Sequence, residues 1–427
     1  MLKLLQFILA WLAMAIIKKY QPQIVGITGS IGKTSAKEAI FCVLQTKFNA
    51  RKNIKNYNNE IGVPLTIIGQ ESGGKSALGW LKVFSAAMNL IFFHDKEYPD
   101  ILVLEMGADK PGDISYLVEK FPCDIGVITA IGPTHLEAFK TVEEIVKEKQ
   151  KIVSHLKASN TAILNADDAL VKKTHAKTRA KVIFFGYDES AGVRAIELDE
   201  QAGALDLAGV KFKIAHGGSA VPVFLPGVIG AHQINAALIG ASVGIALGMN
   251  LIEISEGLKN YHSPKGRMNL ISGRKTLIID DTYNSSPKAA EAALKTLADA
   301  KIGDIKRKAA IFGDMLELGD FTEEAHYELG ARTARAGIDI LIAVGKFKDM
   351  ICQGARENGM PEQSVFSFVN STLAAQGVEI IIQPGDLILV KGSQGSRMER
   401  VVKALMKEPE KAGELLVRQE REWERTT

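Results

Sequence analysis

The side chains best suited to chemistry stand together near the start of the chain, in residues 24–41, IVGITGSIGKTSAKEAIF. Ile24 to Thr28 reads as a buried strand, Gly29 to Gly32 as a turn, and a helix opens at Lys33 and Thr34. Glycines let a backbone aim its N–H groups at an anion, and a helix N-terminus adds partial positive charge. On this reading Gly29, Ser30, Gly32 and Ser35 cradle phosphate. Lys33 supplies a point charge for the β- and γ-phosphates, and the Thr34 hydroxyl a ligand for Mg²⁺. The usual phosphate loop is Gly-x-x-x-x-Gly-Lys-Ser/Thr, whereas here Ile stands at 27 and an extra glycine at 26, so the spacing is a variant. The plainer alternative is a tight strand-to-helix turn that binds nothing.

Other residues could join that chemistry. Glu105 closes the apolar run Ile101–Glu105, and a carboxylate at the end of a strand beside the loop can reach the metal held by Thr34. It could equally face solvent. His135, in the turn Pro133-Thr134-His135 after the run 125–131, is a candidate ligand for a second metal ion. Lys147 to Lys151 is a charged run that by itself reads as a solvated helix face. Residues 56–60, including Asn58 and Asn59, suit either a polar substrate or a turn. Asp280, Asp281 and Asn284 lie at a strand end, where carboxylates commonly meet ribose hydroxyls and Asn284 is a candidate substrate contact.

Positioning these groups requires alternating strands and helices. Strands are expected at 101–105, 125–131, 161–164 and 182–185, with hairpins from about 199 to 223 and a small-residue helix at 234–249. A second α/β unit begins after residues 268–275: strand 276–279, helix 287–298, and strands 309–312, 340–344 and 387–390. The fold class is therefore α/β: a parallel, doubly wound central domain (24–268) and a Rossmann-like C-terminal domain (269–427). The 427 residues are 46% hydrophobic and 24% charged, an ordinary globular composition, and the formal charge of +3 gives no footprint for nucleic acid. Three dispersed cysteines suit a reducing compartment and form neither a disulfide framework nor a zinc motif.

Residues 1–23 break the globular pattern. Leu4 to Ile17 is apolar except Gln6 and is flanked by Lys3, Lys18 and Lys19. Fourteen helical residues reach roughly 21 Å, short of the ~30 Å hydrocarbon core. The expectation is a short membrane anchor or interfacial helix that holds the chain at the cytoplasmic face, with a helix buried against protein as the alternative. Residues 77–93 form a second apolar run, with Lys82, Ser85 and Asn89 on one helix face and Trp80, Leu81, Phe84 and Met88 on the apolar one. Packing against the core and contact with a membrane both fit it.

Taken in order, the blocks ITGSIGKTSAKE, NYNNEIGVPLT, LEMGADKPGDI, GPTHLEAFKTVEEIVKEKQKI, LNADD, GAHQINAA, GRM, DDTYNSSP, GDMLELGDFTEEAH and VKGSQGSRMERVV resemble the Mur ligase family over residues 24–405. Within the family they look most like the branch that adds D-alanyl-D-alanine to a UDP-N-acetylmuramoyl-tripeptide. The resemblance implies ATP and two Mg²⁺ ions, with Thr34, Glu105, His135 and Lys149 around the metals and Lys149 carbamylated. It implies that His232 and Asn235 bind adenine, that Arg267 faces the phosphates, and that Asp281 meets ribose. Lys391, Ser393 and Arg397 would lie at the amine-substrate side. The implied enzyme is a cytoplasmic, monomeric amide ligase working through an acyl phosphate.

One departure bears on substrate. Members of that branch carry an N-terminal domain for the UDP-sugar, whereas about 23 mostly apolar residues precede the first strand here. A lipid-linked acceptor at a membrane surface is thus an alternative to the soluble one. Two rival functions are a membrane-associated ligase of the poly-γ-glutamate type and a regulatory ATPase without ligase chemistry. The GDMLELG and RME blocks count against the first, and intact Lys33, Glu105, His135 and Lys149 against the second.

Overall fold

The computed structural model describes residues 2–54, 57–134, 136–202, 209–302, 305–420 and 423; residues 136, 137, 199–202, 231 and 232 are described by backbone only. His135 therefore lies outside the described residues. The chain forms two compact units. The first comprises residues 1–197, 212–223 and 234–261, and the second 198–211, 224–233 and 262–427.

The first unit is organised by β1 (Gln23–Thr28), which lies between β3 (Ile101–Glu105) and β4 (Ile125–Ile128) with all three strands parallel. The sheet extends to β2 (Ala50–Lys52) on one side and through β5 (Thr161–Asn165) and β6 (Lys181–Gly186) on the other, giving the order β2-β3-β1-β4-β5-β6. Every residue of β3 and β4 is buried, so these strands read as continuous apolar runs rather than alternating ones. Gly26 belongs to this packing. A β-carbon there would come within 2.4 Å of Cys123 Sγ, so the glycine that made the phosphate loop look misspaced is a strand residue under a neighbouring side chain. The sheet continues as the expected hairpins, β7 (Val193–Ala202), β8 (Gly209–His216) and β9 (Ser219–Pro226). Gly217 and Gly218, at φ of 57° and 80°, supply the two-residue turn between β8 and β9.

Behind β1 runs α2 (Lys33–Leu44), whose inner residues Ala36, Ala39, Ile40 and Val43 are fully buried. The small-residue helix spans 231–246, and its Gly240 lets it lie against the backbone of Ala39, which a β-carbon would approach to 3.0 Å.

The second unit holds a six-stranded sheet in the order β10-β11-β15-β12-β13-β14, counted over the described residues. The strands are β10 (Asn269–Ser272), β11 (Leu277–Asp281), β12 (Arg307–Gly313), β13 (Ile340–Val344), β14 (Val365–Phe368) and β15 (Asp386–Lys391). Only β10 runs antiparallel to its neighbour. Leu277 and Ile279 face one apolar layer, with the helix Pro287–Asp299, while Ile278 faces another, with Glu399–Leu405. This is the expected Rossmann-like sandwich. The register sets Asp281 beside Lys391 at the carboxyl edge.

The N-terminal helix, α1, extends from Leu2 to Tyr20 and divides by face. Leu9, Leu12, Ala13 and Ile16 are buried in the first unit's core among residues of α3 (Gly62–Ile68) and α4 (Ala77–Phe92). Lys19 Nζ donates to the carbonyls of Leu90 (2.9 Å) and Phe93 (2.7 Å), and Tyr20 stacks on Tyr98 at 4.2 Å, so the helix end is fastened. Leu4, Phe7 and Trp11, spaced i, i+3, i+7, remain exposed. Helix α4 divides likewise: Val83, Ala87 and Leu90 are buried, while Leu78, Leu81, Met88 and Phe92 are exposed. Leu81 and Met88 thus belong to the outer face, apart from the partly buried Trp80 and Phe84. Among the described residues no helix is long and apolar enough to cross a membrane.

Because α1 is a core element, Ile16→Ala should cost the full-length protein about 2–5 kcal/mol of stability, read from urea unfolding. An unchanged midpoint would show that α1 does not belong to the core.

Candidate active site

The loop between β1 and α2 is built as an anion cradle. Gly32, at φ 86°, occupies the left-handed region at the α2 N-cap, and no side chain caps the helix there. The first turn's N–H groups are therefore available to a ligand. Gly29 packs against Thr129, whose Oγ1 a β-carbon would approach to 2.0 Å. Thr129 in turn donates to the Ile31 carbonyl at 2.6 Å. Lys33 folds back so that its Nζ donates to the Gly29 carbonyl at 2.8 Å. Ser30 Oγ donates to the Gly132 carbonyl (2.9 Å) and accepts from the Gly132 N–H (3.1 Å). Ser30 thereby staples the segment leading toward His135 to the loop. Thr34 and Ser35 are buried in the first turn of α2.

Glu105 is buried at the end of β3 rather than turned to solvent. Asn58 Nδ2 donates to its Oε1 at 3.3 Å, the side chain of Asn53 accepts its N–H, and the buried Lys37 ammonium lies 4.0 Å from its Oε2. Lys37 also donates to the Asn53 carbonyl at 3.1 Å. Asn53 and Lys37 were not singled out by sequence. The signal available was helical spacing: Lys37 lies one turn after Lys33, on the face of α2 that turns inward. Asn59 does something different from Asn58. Its Oδ1 accepts the N–H groups of Ile61 (3.2 Å) and Gly62 (2.9 Å) and starts α3.

The charged run 147–151 is not a solvated face. Lys147 is exposed, but Glu148 and Lys149, at the end of helix α6 (Val142–Lys149), are buried because the helical period carries them inward with Ile145. Glu148 accepts the N–H groups of Gly112 (2.9 Å) and Ile114 (2.7 Å), holding the start of α5 (Asp113–Lys120). Burial, then the neighbouring Lys33 ammonium, pushes the Lys149 amine down to about 7. The Glu148 and Asp109 carboxylates act in the opposite direction.

In this unit the buried Oγ1 of Thr28 and Oδ1 of Asn235 have no hydrogen-bond partner among the described residues. The side chain of His232 lies outside the described residues.

In the second unit, Arg267 lies 4.1 Å over the Tyr283 ring, and its buried Nε has no hydrogen-bond partner among the described residues. Gly266, at φ 68°, permits this, since a β-carbon would meet the Tyr283 nitrogen at 2.9 Å. Gln233, fully buried and missed by sequence, donates to the Arg267 carbonyl at 3.1 Å and fixes the turn. Lys391 donates to Asp281 Oδ2 (2.6 Å) and to the carbonyl of the exposed Asn284 (2.9 Å). Ser393 Oγ donates to the Ser285 carbonyl at 3.2 Å. Arg397, at φ 53°, pairs with Glu399 (2.5 Å) and donates to the Trp423 carbonyl (2.6 Å). Asp281, Asn284, Lys391 and Ser393 are thus joined at one edge, and Arg397 sits in a separate pair with Glu399.

Both units have counterparts in known proteins. Residues 85–244 match the Mur ligase middle domain and residues 266–394 the Mur ligase glutamate ligase domain. UDP-N-acetylmuramoyl-tripeptide–D-alanyl-D-alanine ligase of Synechocystis is 31% identical over 92% of this chain and 76% of its own length. The chain belongs to the Mur ligase family. The Bacillus subtilis ligase of the same name is 29% identical, over 93% of this chain and 79% of its own. Among solved structures, MurF of Acinetobacter baumannii superposes with a TM-score of 0.77 at 26% identity, covering 94% of this chain and 80% of that one. MurF of Thermotoga maritima, solved with ADP, gives 0.76 at 27% identity, covering 95% and 84%. These likenesses carry the α/β architecture of a Mur ligase over both units.

One buried carboxyl near the second unit's edge gives a pH signature. Burial raises Asp280 to about 7 from an ordinary 3.8, against the hydrogen bonds from Thr282 that lower it. Between those values the folded chain holds a proton that the unfolded chain has released, so this group's contribution to stability falls as pH rises toward 7. Asp280→Asn removes the slope. The melting temperature of the variant relative to the parent should therefore climb from pH 5 to pH 8, and a pH-independent difference would refute the assignment.

Proposed function

We propose that this Mur ligase is an ATP-dependent amide ligase that joins D-alanyl-D-alanine to the terminal carboxylate of a muramoyl-tripeptide acceptor. The observation that supports the reading is Lys33 at the helix start after β1, Glu105 at the end of the adjacent β3 and a buried Lys149 whose amine feels Lys33, in a chain alignable with D-alanyl-D-alanine ligases over nine-tenths of its length. An acceptor carboxylate oxygen attacks the γ-phosphorus of ATP, and the bond to the β–γ bridging oxygen breaks, giving an acyl phosphate and ADP. The amine of D-alanyl-D-alanine then attacks the acyl carbonyl. A tetrahedral intermediate collapses to the amide as inorganic phosphate departs and the amine proton is lost.

The residues fit their tasks. Lys33 and the α2 N-terminus hold phosphate oxygens and oppose the charge that builds during transfer. Glu105 and the Thr34 hydroxyl are hard oxygen donors suited to Mg²⁺, and Lys37 and Asn58 set the carboxylate's orientation. Bound Mg²⁺ would supply charge neutralisation and Lewis-acid polarisation of phosphoryl oxygens. His135 is the proposed donor to a second ion. Lys149, with an amine lowered to about 7, is suited to condense with CO₂ and become an anionic carbamate, which would resolve its opposition to Lys33. Asn235 Oδ1 and Arg267 Nε, both orphaned, are suited to the adenine and the phosphates of the nucleotide, with His232 beside Asn235 in sequence. Asp281 is proposed for ribose. Asn284, Lys391 and Ser393 are proposed for the amine substrate, and Arg397 for its carboxylate. We place the enzyme in the cytoplasm as a monomer. The outward faces of α1 and α4 carry Leu4, Phe7, Trp11, Leu78, Leu81 and Phe92 without any acidic residue in either helix, which supports contact with an anionic membrane surface.

The test is ADP release by purified enzyme with ATP, Mg²⁺ and UDP-N-acetylmuramoyl-tripeptide. Turnover should require D-alanyl-D-alanine, and stimulation by glutamate but never by the dipeptide would overturn the assignment. Lys149→Ala should lose activity by a factor of about 100 or more, partly recovered by added formate or acetate. Carbamate formation needs the neutral amine, so activation of the parent enzyme by bicarbonate should fade as pH drops below about 7. Full activity in Lys149→Ala would remove the carbamate from the mechanism.

A further inference from the structure

A cavity of about 660 Å³ in the first unit is not used by the chemistry above. One wall is α1, through Lys3, Gln6, Phe7, Ala10 and Met14. The opposite wall is the start of α5 and the loop before it, with Lys110, Tyr116 and Lys120. The floor is Asn58, Asn59 and Gly107. That floor adjoins the reaction centre: Asn58 donates to the Glu105 carboxylate at 3.3 Å, and its carbonyl accepts the Gly107 N–H at 2.8 Å. A ligand resting on the floor therefore presents one end to Glu105.

The lining changes along the cavity. Gln6 of the α1 wall donates to Glu60 at 3.1 Å, next to the floor amides, and Asp109 and Asp113 stand with Lys110 on the α5 side. Of the lysines, Lys110 is paired with Asp113 at 2.8 Å, while Lys3 and Lys120 form no ion pair among the described residues. Tyr116 gives a half-buried ring. At the rim stands Phe7, 66% exposed and flanked on the same helix face by Leu4 and Trp11.

We infer that this cavity holds the carrier end of the acceptor, with the sugar against Tyr116 and the floor amides and the diphosphate between Lys3 and Lys120. The inference rests on the ligase reading for the orientation of the acceptor toward Glu105. A sugar diphosphate can be carried by a nucleotide or by a polyprenyl chain, and the Phe7 rim opening beside Leu4 and Trp11 is where a lipid chain would leave. Helix α1 is then a wall of the substrate site as well as a core element.

The experiment measures binding and turnover separately with the full-length chain. Two acceptors carry the same muramoyl-tripeptide, one on a nucleotide diphosphate and one on a polyprenyl diphosphate in detergent micelles. Dissociation constants come from equilibrium dialysis of the labelled acceptors, and ADP release is followed in parallel. The double variant Lys3→Glu, Lys120→Glu should weaken both acceptors by about tenfold or more, with ADP binding unchanged. Trp11→Ser, a surface change that spares the core, should weaken only the polyprenyl-linked acceptor; an equal effect of zero on both assigns the carrier to the nucleotide. Parental affinity in the double variant, or no saturable binding of either acceptor to the parent, overturns the inference. Saturable binding that the double variant weakens, without ADP release from the parent, leaves the cavity assignment standing and overturns the ligase reading.

Discussion

Buried charge at the carboxyl edge of one parallel sheet is the constraint on which the first unit depends. Glu105, Lys37, Glu148 and Lys149 are each no more than about one-twentieth exposed, and a buried ion is tolerated only when paired or hydrogen-bonded. Three of them are satisfied by their surroundings. Glu105 has Asn53, Asn58 and Lys37; Lys37 has the Asn53 carbonyl and two carboxylates; Glu148 has the N–H groups at the start of α5. Lys149 is the exception, held beside Lys33 with its amine displaced toward neutrality. The Glu148 and Asp109 carboxylates act against that displacement without cancelling it.

The parallel sheet makes that constraint possible. β1, β3 and β4 run side by side in one direction, so the residues that follow each strand arrive at a common edge: the phosphate loop after Thr28, Glu105 at the end of β3, and Thr129 to Thr134 after β4. The last two meet the loop through polar atoms, Thr129 with Ile31 and Ser30 with Gly132. In the second unit the same logic sets Asp281 against Lys391 from adjacent strands. Function sits at strand ends because only there does the backbone stop consuming its own hydrogen bonds.

What was legible in the sequence divides along physical lines. Strands buried on both faces announce themselves as apolar runs, and 101–105 and 340–344 have the expected ends. The turn after β1 and the place of Glu105 at the end of β3 were legible from residue type and spacing, whereas the bond from Asn58 to Glu105 was not. Lys149 was not legible from charge pattern alone: a run of alternating lysine and glutamate looks solvated, and only the helical phase set by Ile145 turns 148 and 149 inward. Lys37 and Gln233 were missed for a related reason. Each does its work through a tertiary contact, with Glu105 and with the Arg267 turn; helical spacing could have marked Lys37 as inward-facing but not named its partner. Gly26 lies in the strand where the sequence put it, but its duty there, to clear Cys123, is a tertiary contact that the sequence does not announce.

Helix α1 shows why apolar periodicity cannot by itself assign a helix to core or to surface. A moment calculation rewards one apolar face and one polar face, and α1 has apolar residues on both: Leu9, Ala13 and Ile16 inward, Leu4, Phe7 and Trp11 outward. The two faces answer to different forces. The inward face is held by close packing against α3 and α4 and by Lys19 and Tyr20 clamping the end of α4, so it is rigid. The outward face exposes large side chains next to a cavity lined by Asn58, the donor to Glu105, and lysines stand at both helix ends. A rigid inner face is what allows the outer one to function, since a helix that frayed from the core would lose the cavity wall along with its own packing. Stability and substrate recognition are therefore coupled through the same nineteen residues.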